Sequence, residues 1–504
     1  MDTALLGRVP DNPPAILLVS LLICIILYAC WPAKYPRLPP GPRGLPVLGN
    51  ALQIPREHQE KVFFKWGQQY GEIVYARLFR TPAIIINSLQ AARDLLEKQS
   101  ANYSDRPSFT LIGDLMDMHG LLPFLPYGPR FRKARKWFYS AFHPQVAVKY
   151  QTFQRREANI VLDGLLQDPA AYSKHFTRFG AAVLMEVTYG HQVTTDNDLF
   201  VRAAHDAMSG IANAGSAGGG LVDFFPVLKY YPSWMPGGGF QTYAQKVYES
   251  GQTMRNAPYD MVKERFSSAT GARPCFTSNL IEEHLCSDGG LSPQDEQDIK
   301  DAAGTFYAAG AETLDAVMNT FILAMVRHPE VFRKAREEMD RVVGSDRLPD
   351  FDDRASLPYL NCVIKEVYRW NPPGPLAIPH AATNEGEYCG YHIPAGSMVI
   401  PNIWAMCRCG DTYPLPDMFN PERFMSKFNE DLIDPKSVVF GFGRRICPGK
   451  DFADSSAYLL MSNIIATMDI AKALDRDGLE ITPPLEFTSG MQSKAVQVFY
   501  YAEV

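Results

Sequence analysis

The chain has 504 residues, with 49 Lys and Arg against 55 Asp and Glu, a formal charge of −6. That balance excludes nucleic acid as a general partner, because a phosphate backbone is held by clustered positive charge. A hydrophobic share of 46% is ample for a core, and no solenoid-period repeat, low-complexity tract or long Ser/Gly linker divides residues 50–504, so one large body is expected. The cysteines stand at 24, 30, 275, 286, 362, 389, 407, 409 and 447. Their odd number and irregular spacing exclude a disulfide framework and suit a reducing compartment.

The first predicted element is an anchor. Ala15 to Trp31 is an uncharged, almost wholly apolar run of about 17 residues, near the minimum that spans a bilayer core. A cleaved signal peptide is the other reading, but Met1-Asp2 offers no basic start and Tyr28-Ala29-Cys30-Trp31-Pro32 is a poor cleavage context. Lys34, Arg37 and Arg43 follow the run, against Arg8 before it. The positive-inside tendency then predicts a short luminal N-terminus (1–14), a transmembrane anchor (15–31) and a cytosolic body. Asn102-Tyr103-Ser104 has the form of a glycosylation sequon, which a cytosolic body leaves unused. Residues 32–49 carry dense proline between Pro36 and Pro46 and predict a stiff, extended hinge before the body at 50–504.

Within the body, Tyr127 to Lys136 is strongly basic. Gly218-Gly219-Gly220 and the apolar stretch from Leu221 to Phe240 predict a mobile lid that also touches lipid; no Lys-Ser/Thr follows the glycines, so they do not form a phosphate loop. Ser292-Pro293 opens the longest helical pattern, with Ser as N-cap and Pro at the first helical position. Apolar periodicity runs through Ile299, Ala302, Ala303, Phe306 and Tyr307 to Val326, and His328-Pro329 stops it. Such a helix of about 35 residues is roughly 50 Å long and must cross the body. In its middle, Ala308-Ala309-Gly310-Ala311-Glu312-Thr313 puts small residues where a flat body can approach, at about 1 kcal/mol of helix stability for Gly310 relative to Ala. Glu312-Thr313 sets a carboxylate beside a hydroxyl in an apolar stretch; the alternative is ordinary packing with Thr313 bonded to its own helix.

Pro358 to Trp370 predicts another helix, in which Glu366 and Arg369 share a face. Pro373 to His380 is proline-rich and irregular, and Cys407-Arg408-Cys409 lacks further ligands at metal-binding spacing. Last comes Phe440-Gly441-Phe442-Gly443-Arg444-Arg445-Ile446-Cys447-Pro448-Gly449, a tight Gly-rich loop ahead of a helical segment from Phe452 to Met468. A thiolate at Cys447 has its charge offset by backbone N–H groups and the helix N-terminus, and Arg445 can pair with an anionic cofactor edge.

That loop, in the order Phe, Gly, Arg, Cys, Gly, resembles the haem-thiolate loop of the cytochromes P-450, and Ala309-Gly310-Ala311-Glu312-Thr313 resembles the family's oxygen-binding segment. The resemblance covers about residues 35–504 and looks closest to fungal microsomal enzymes of secondary metabolism, such as the O-methylsterigmatocystin oxidoreductase-like group. It implies a mainly α fold with small β-sheets and haem b between the long helix and the loop. Cys447 is then the axial ligand; Phe440, Gly441, Gly443, Arg445, Gly449, Ala309 and Gly310 surround the cofactor; Arg135 and His380 reach its propionates. Thr313 and Glu312 relay protons in the oxygen step. Glu366, Arg369 and Arg423 form a structural triad. Phe131 stands where the family usually has Trp, and Cys407 and Cys409 where His and Asp are frequent.

The implied activity is oxidation of a hydrophobic small molecule, terpenoid or polycyclic in kind, with O2. Electrons come from NADPH-cytochrome P-450 reductase, with cytochrome b5 as a second donor, at the endoplasmic reticulum membrane. Arg132, Lys133, Lys136, Arg444 and Lys450 are expected to form a basic docking face for that donor. The segments expected to face substrate are 109–122, 207–225, 303–309, 373–379 and 489–491, with Asp114 and Asp117 solvated. A haem-thiolate isomerase or dehydratase that needs no O2, and a non-catalytic membrane haem-binding protein, remain the alternatives.

Overall fold

The computed structural model describes residues 20, 37–195, 197–214, 220–268, 273–287, 289–425, 432–496 and 500–503. The expected anchor, apart from Ser20, and the first residues of the hinge lie outside these, as do Gly218 and Gly219. The remainder is mostly helical with three small sheets.

The principal helices are α1 (Gln59–Tyr70), α2 (Pro129–Ala141), α3 (Pro144–Gln167), α4 (Tyr172–Tyr189), α5 (Leu199–Asn213), α6 (Gly239–Ser267), α7 (Phe276–His284), α8 (Pro293–Arg327), α9 (Pro329–Val342), α10 (Pro358–Trp370) and α11 (Lys450–Thr467). The largest sheet has the order β1 (Ile73–Leu78), β2 (Thr81–Ile86), β6 (Met398–Pro401), β3 (His380–Ala381). Hairpin β4 (Gly386–Tyr388) with β5 (Tyr391–Ile393), and the pair β7 (Asp469–Lys472) with β8 (Tyr500–Glu503), complete the strands. β2 runs parallel to β6, and β3 pairs antiparallel to β6 with His380 opposite Val399. That register fixes His380 at the edge of the main sheet.

Helix α8 is 35 residues long and ends where the sequence predicts. The Ser292 hydroxyl accepts the Asp295 N–H at 3.1 Å, and Asp295 and Glu296 put negative charge in the first turn, where the helix dipole favours it. Ile299, Ala302, Ala303, Phe306 and Tyr307 are all buried in one cluster with α4 and α11. The start of α10 is capped from a distance: the Glu338 carboxylate accepts the N–H groups of Tyr359 and Leu360, each at 2.9 Å.

The stretch after Gly220, expected as a lid, carries secondary structure. It forms a helical turn, Leu221–Phe224, and a tighter turn, Pro226–Tyr230. Asp223 accepts the Leu111 N–H at 2.9 Å, and the Phe79 ring packs on Phe224 and Phe225 at centroid distances of 5.1 and 4.9 Å. Outward-facing Val227, Tyr230 and Trp234 are 72, 77 and 82% exposed, so the apolar surface lies on the outside of these turns.

Candidate functional site

Helices α2, α4, α8 and α10 and the Gly-rich loop enclose a cavity of about 340 Å³. Loop shape follows from its glycines at one point above all: Gly443 has φ +53°, and a Cβ there would lie 2.0 Å from the Leu96 carbonyl oxygen. The chain then turns so that the Cys447 N–H donates to the Phe440 carbonyl at 2.8 Å, and the Cys447 side chain faces the cavity. Among the described cysteines only Cys447 lines it. Burial pushes its thiol up, while the Gly449 N–H and the Arg135 guanidinium pull it down. Cys407 is fully buried in the core instead, its thiol pushed up to about 12, and Cys409 is not in the cavity wall.

One edge of the cavity is cationic. Arg445 donates to the carbonyls of Ser104 (2.8 Å), Leu122 (3.2 Å) and Leu125 (2.8 Å). Arg106 donates to Pro123 (2.7 Å), Ile378 (2.6 Å) and Pro379 (2.7 Å). Arg135 has no hydrogen-bond or carboxylate partner among the described residues. Burial lowers the pKa of all three guanidiniums, that of Arg445 to about 10, and none has a carboxylate within ion-pairing distance among the described residues. His380 is 4% exposed and Nδ1–H donates to the Tyr103 carbonyl at 2.7 Å. Burial, with Arg106 and Arg445 nearby, holds its ring well below the ordinary imidazole range and therefore neutral. Asp105 offsets Arg106 and Arg445 only through space, so three buried cations at one rim outnumber the carboxylate near them and call for an anionic partner. Phe440, Gly441 and Phe306 add apolar wall and Cys447 a thiol, which completes a set that fits a flat dicarboxylate cofactor such as haem b.

Arg106 was missed in the sequence. It lies in an irregular segment, and two of its three partners, Ile378 and Pro379, are more than 270 residues away, so no local pattern marks it. Phe179, Val183 and Leu184 of α4 also line the cavity unannounced. Leu184 changes the account of Gly310: a Cβ on Gly310 would meet Leu184 Cδ1 at 2.2 Å. Its missing side chain makes room for α4, while Ala309 presents the small surface toward the cavity.

Thr313 lines the cavity, and its hydroxyl donates to the Ala309 carbonyl at 2.9 Å. Glu312 does not line it; the carboxylate accepts from Nδ1 of His205 on α5 at 2.8 Å. Glu366, Arg369 and Arg423 meet away from the cavity. Arg369 pairs with Glu366 through two nitrogens at 2.7 and 2.8 Å, and Arg423 Nε reaches Glu366 at 3.2 Å. Both arginines also donate to carbonyls of residues 414–418, so the triad ties α10 to the segment that leads toward the Cys447 loop.

Several expectations are corrected. Of the segments expected to face substrate, the cavity takes Leu122, Thr305, Phe306, Ala309, Pro373, Gly374, Ala377 and Ile378, and none of 207–214, 220–225 or 489–491. Asp114 is exposed, as expected, and pairs with Lys229 at 3.2 Å, whereas Asp117 is half-buried and held by the buried Arg255 at 2.6 Å. Lys133 is bound to Asp295 (2.5 Å) and Asp298 (2.9 Å) on α8 and leaves the basic face, where Arg132, Lys136, Arg444 and Lys450 remain exposed.

The family model for Cytochrome P450 matches residues 39–495. Cytochrome P450 monooxygenase 136 of Postia placenta is 42% identical over 491 residues, covering 96% of this chain and 92% of the relative. Cytochrome P450 monooxygenase 176 of the same fungus is 42% identical over 459 residues, covering 90 and 88%. Cytochrome P450 monooxygenase claR of Ampulloclitocybe clavipes is 37% identical over 475 residues, covering 94 and 87%. A haem-thiolate monooxygenase that uses a redox partner, O2 and a small-molecule substrate accounts for the loop, the long helix and these relatives together, and the chain belongs to the cytochrome P450 family, fungal in type.

Proposed function

We propose that this monooxygenase oxidises a hydrophobic small molecule, terpenoid or polycyclic in kind, with Cys447 as the thiolate ligand of haem b. The observation that carries the substrate class is the segregation of charge. Arg106, Arg135 and Arg445, with His380, gather at one edge, while Phe179, Val183, Leu184, Leu314 and Val317 make up much of the remaining wall. A carboxylate cofactor edge uses the cations, and no fixed ion is left for substrate. Each Å² of apolar surface removed from water contributes roughly 25 cal/mol.

Bound there, haem b supplies activation of dioxygen, and thiolate ligation favours O–O cleavage. The chain's own residues do the rest. Arg106, Arg135 and Arg445 would hold the carboxylates, and His380 would join them only on taking up a proton at Nε2, because its Nδ1–H is already given to Tyr103; Ala309 keeps the helix face low, and the Thr313 hydroxyl, now bonded to Ala309, is placed to hold a proton donor at the cavity wall. Electrons come from a membrane-bound NADPH-cytochrome P-450 reductase, with cytochrome b5 as a second donor, through the face that bears Arg132, Lys136, Arg444 and Lys450. Anchoring at the endoplasmic reticulum through residues 15–31, with a hinge at 32–49 and the body cytosolic, suits the exposed Val227, Tyr230 and Trp234, which offer a second contact with lipid.

The test is a binding and turnover screen on the purified holoprotein with reductase. Apolar terpenoids or polycyclic aromatics should shift the Soret band at micromolar levels and yield NADPH-dependent oxygenated product. Response to small organic acids alone would overturn the substrate class.

A further inference from the structure

Arg255 of α6 is 2% exposed, and its side chain crosses α8 where Gly304 leaves room: a Cβ on Gly304 would lie 2.8 Å from Arg255 Cγ. Nη1 reaches Asp301 of α8 at 3.1 Å, and Nη2 reaches Asp117 at 2.6 Å. Gln252, also on α6, donates to the Asp117 carboxylate at 2.7 Å. Asp117 has φ +56°, a left-handed backbone that is unfavourable for a residue with a side chain. The two contacts from α6 therefore hold a turn that the chain would otherwise leave.

The chain that follows Asp117 is fastened along its length. Met118 packs against Gly251 of α6, where a Cβ would meet its Cε at 2.2 Å, and a Cβ on Gly120 would meet the Asp301 carboxylate at 2.2 Å. Leu122 donates its N–H to the Thr305 hydroxyl at 3.0 Å, and both residues line the cavity. The next carbonyls are ones that orient the cationic edge. Leu122 and Leu125 accept from Arg445, and Pro123 accepts from Arg106. Half of the carbonyls that hold these two guanidiniums thus lie within eight residues of Asp117.

We propose that Arg255 is a positioning residue for the cofactor: by tying Asp117 to Asp301 it fixes the segment 117–125, and with it the carbonyls that aim Arg106 and Arg445 at the haem carboxylates. This rests on the haem b reading and extends it to an arginine of α6 that does not line the cavity. A guanidinium suits the place, because its planar fork reaches two carboxylates at once in a fixed geometry, which an ammonium does not. Both carboxylates have further neighbours. Asp301 takes Arg130 of α2 at 3.3 Å and Gln297 of its own helix at 3.1 Å, and His119 lies 3.5 Å from Asp117. None of these three comes from α6, so among the described residues Arg255 and Gln252 are what bind Asp117 to that helix.

The competing role for the same contacts is a strut that adds stability and leaves the cofactor edge unmoved. The experiment uses purified holoprotein without substrate, comparing wild type with Asp117→Gly, Asp117→Asn and Arg255→Lys. Glycine suits φ +56° while removing the tie, so haem-free Asp117→Gly should unfold close to the wild-type midpoint. Haem transfer to an excess of a haem-scavenging apoprotein should be about five-fold faster in Asp117→Gly and Arg255→Lys, less than the roughly ten-fold of losing a cation that touches the carboxylates directly. In Asp117→Asn, which keeps hydrogen bonding and tolerates the same backbone, the gain should be only about two-fold. The midpoint potential of the haem iron should fall in the same order, because carboxylates less well neutralised favour the ferric state. Should Arg255→Lys not fold, the two Asp117 variants carry the comparison. Lower stability with unchanged haem release and potential would make the contact a strut and overturn the proposal. Faster release that only tracks a fall in the haem-free midpoint, or unchanged behaviour in every readout, would overturn it too. Wild type that binds no haem b would instead sink the cofactor reading, and the proposal with it.

Discussion

The guanidinium of Arg445 lies 3.9 Å from the centroid of the Phe131 ring. Loop and helix α2 are joined there by a cation–π contact at the position where the family usually carries Trp. The indole N–H is absent, but the ring face still holds the cation that three carbonyls orient. Such a contact is worth about 2 kcal/mol when desolvated. Phe131→Leu should lower the stability of the haem-loaded protein by about that amount, read by chemical denaturation, whereas Phe131→Trp should retain or raise it. Equal losses in both would deny the ring face a role.

Arg135 has no protein partner among the described residues, so its removal separates cofactor binding from folding. Arg135→Leu should leave the thermal midpoint of haem-free protein unchanged or slightly raised, because an unpaired half-buried cation is gone. Haem should dissociate about ten-fold faster or more, since a charge-assisted bond worth roughly 1.5–3 kcal/mol is lost. Arg106→Leu differs: its three carbonyl bonds belong to the fold, so it should lower both stability and haem retention. Identical behaviour of the two variants would contradict this division.

Glu366 is fully buried between Arg369 and Arg423. Glu366→Gln leaves two cations without their counter-charge, and breaking a buried pair costs about 3–5 kcal/mol. Loss of soluble holoprotein, or a fall of that size in unfolding free energy, is expected at fixed pH. A near-neutral result would reduce the triad to a dispensable contact.

Thr313→Ala removes one hydroxyl that donates to Ala309, so stability should change by no more than about 1 kcal/mol. Substrate-induced Soret shifts should persist while NADPH oxidation diverts from product to peroxide. Unimpaired coupling would remove Thr313 from the oxygen step.

Much of this site was legible because its signals are local. Ser292-Pro293 and His328-Pro329 bracket α8 within a few residues, and the Gly443–Cys447 turn announces itself by spacing. Arg369 with Glu366 is an i, i+3 pair that any helical reading finds. What was not legible depends on distant partners. Glu312 meets His205 across 107 residues, and Arg106 meets Ile378 across 272. Leu184 fills the space beside Gly310 only because α4 lies along α8, so the glycine read as a clearance for the cofactor is also a clearance for another helix. Lys133 looked like part of a solvated basic face because nothing in α2 reveals that the first turns of α8 lie opposite it.

The central claim is that Cys447, alone among the cysteines, ligates the haem. The reduced, CO-bound difference spectrum tests it most directly, on wild type, Cys447→Ser and Cys407→Ser in parallel. The account predicts the long-wavelength Soret band of thiolate-ligated haem in wild type and Cys407→Ser, and its loss in Cys447→Ser. Retention of that band in Cys447→Ser, with loss in Cys407→Ser, would contradict it.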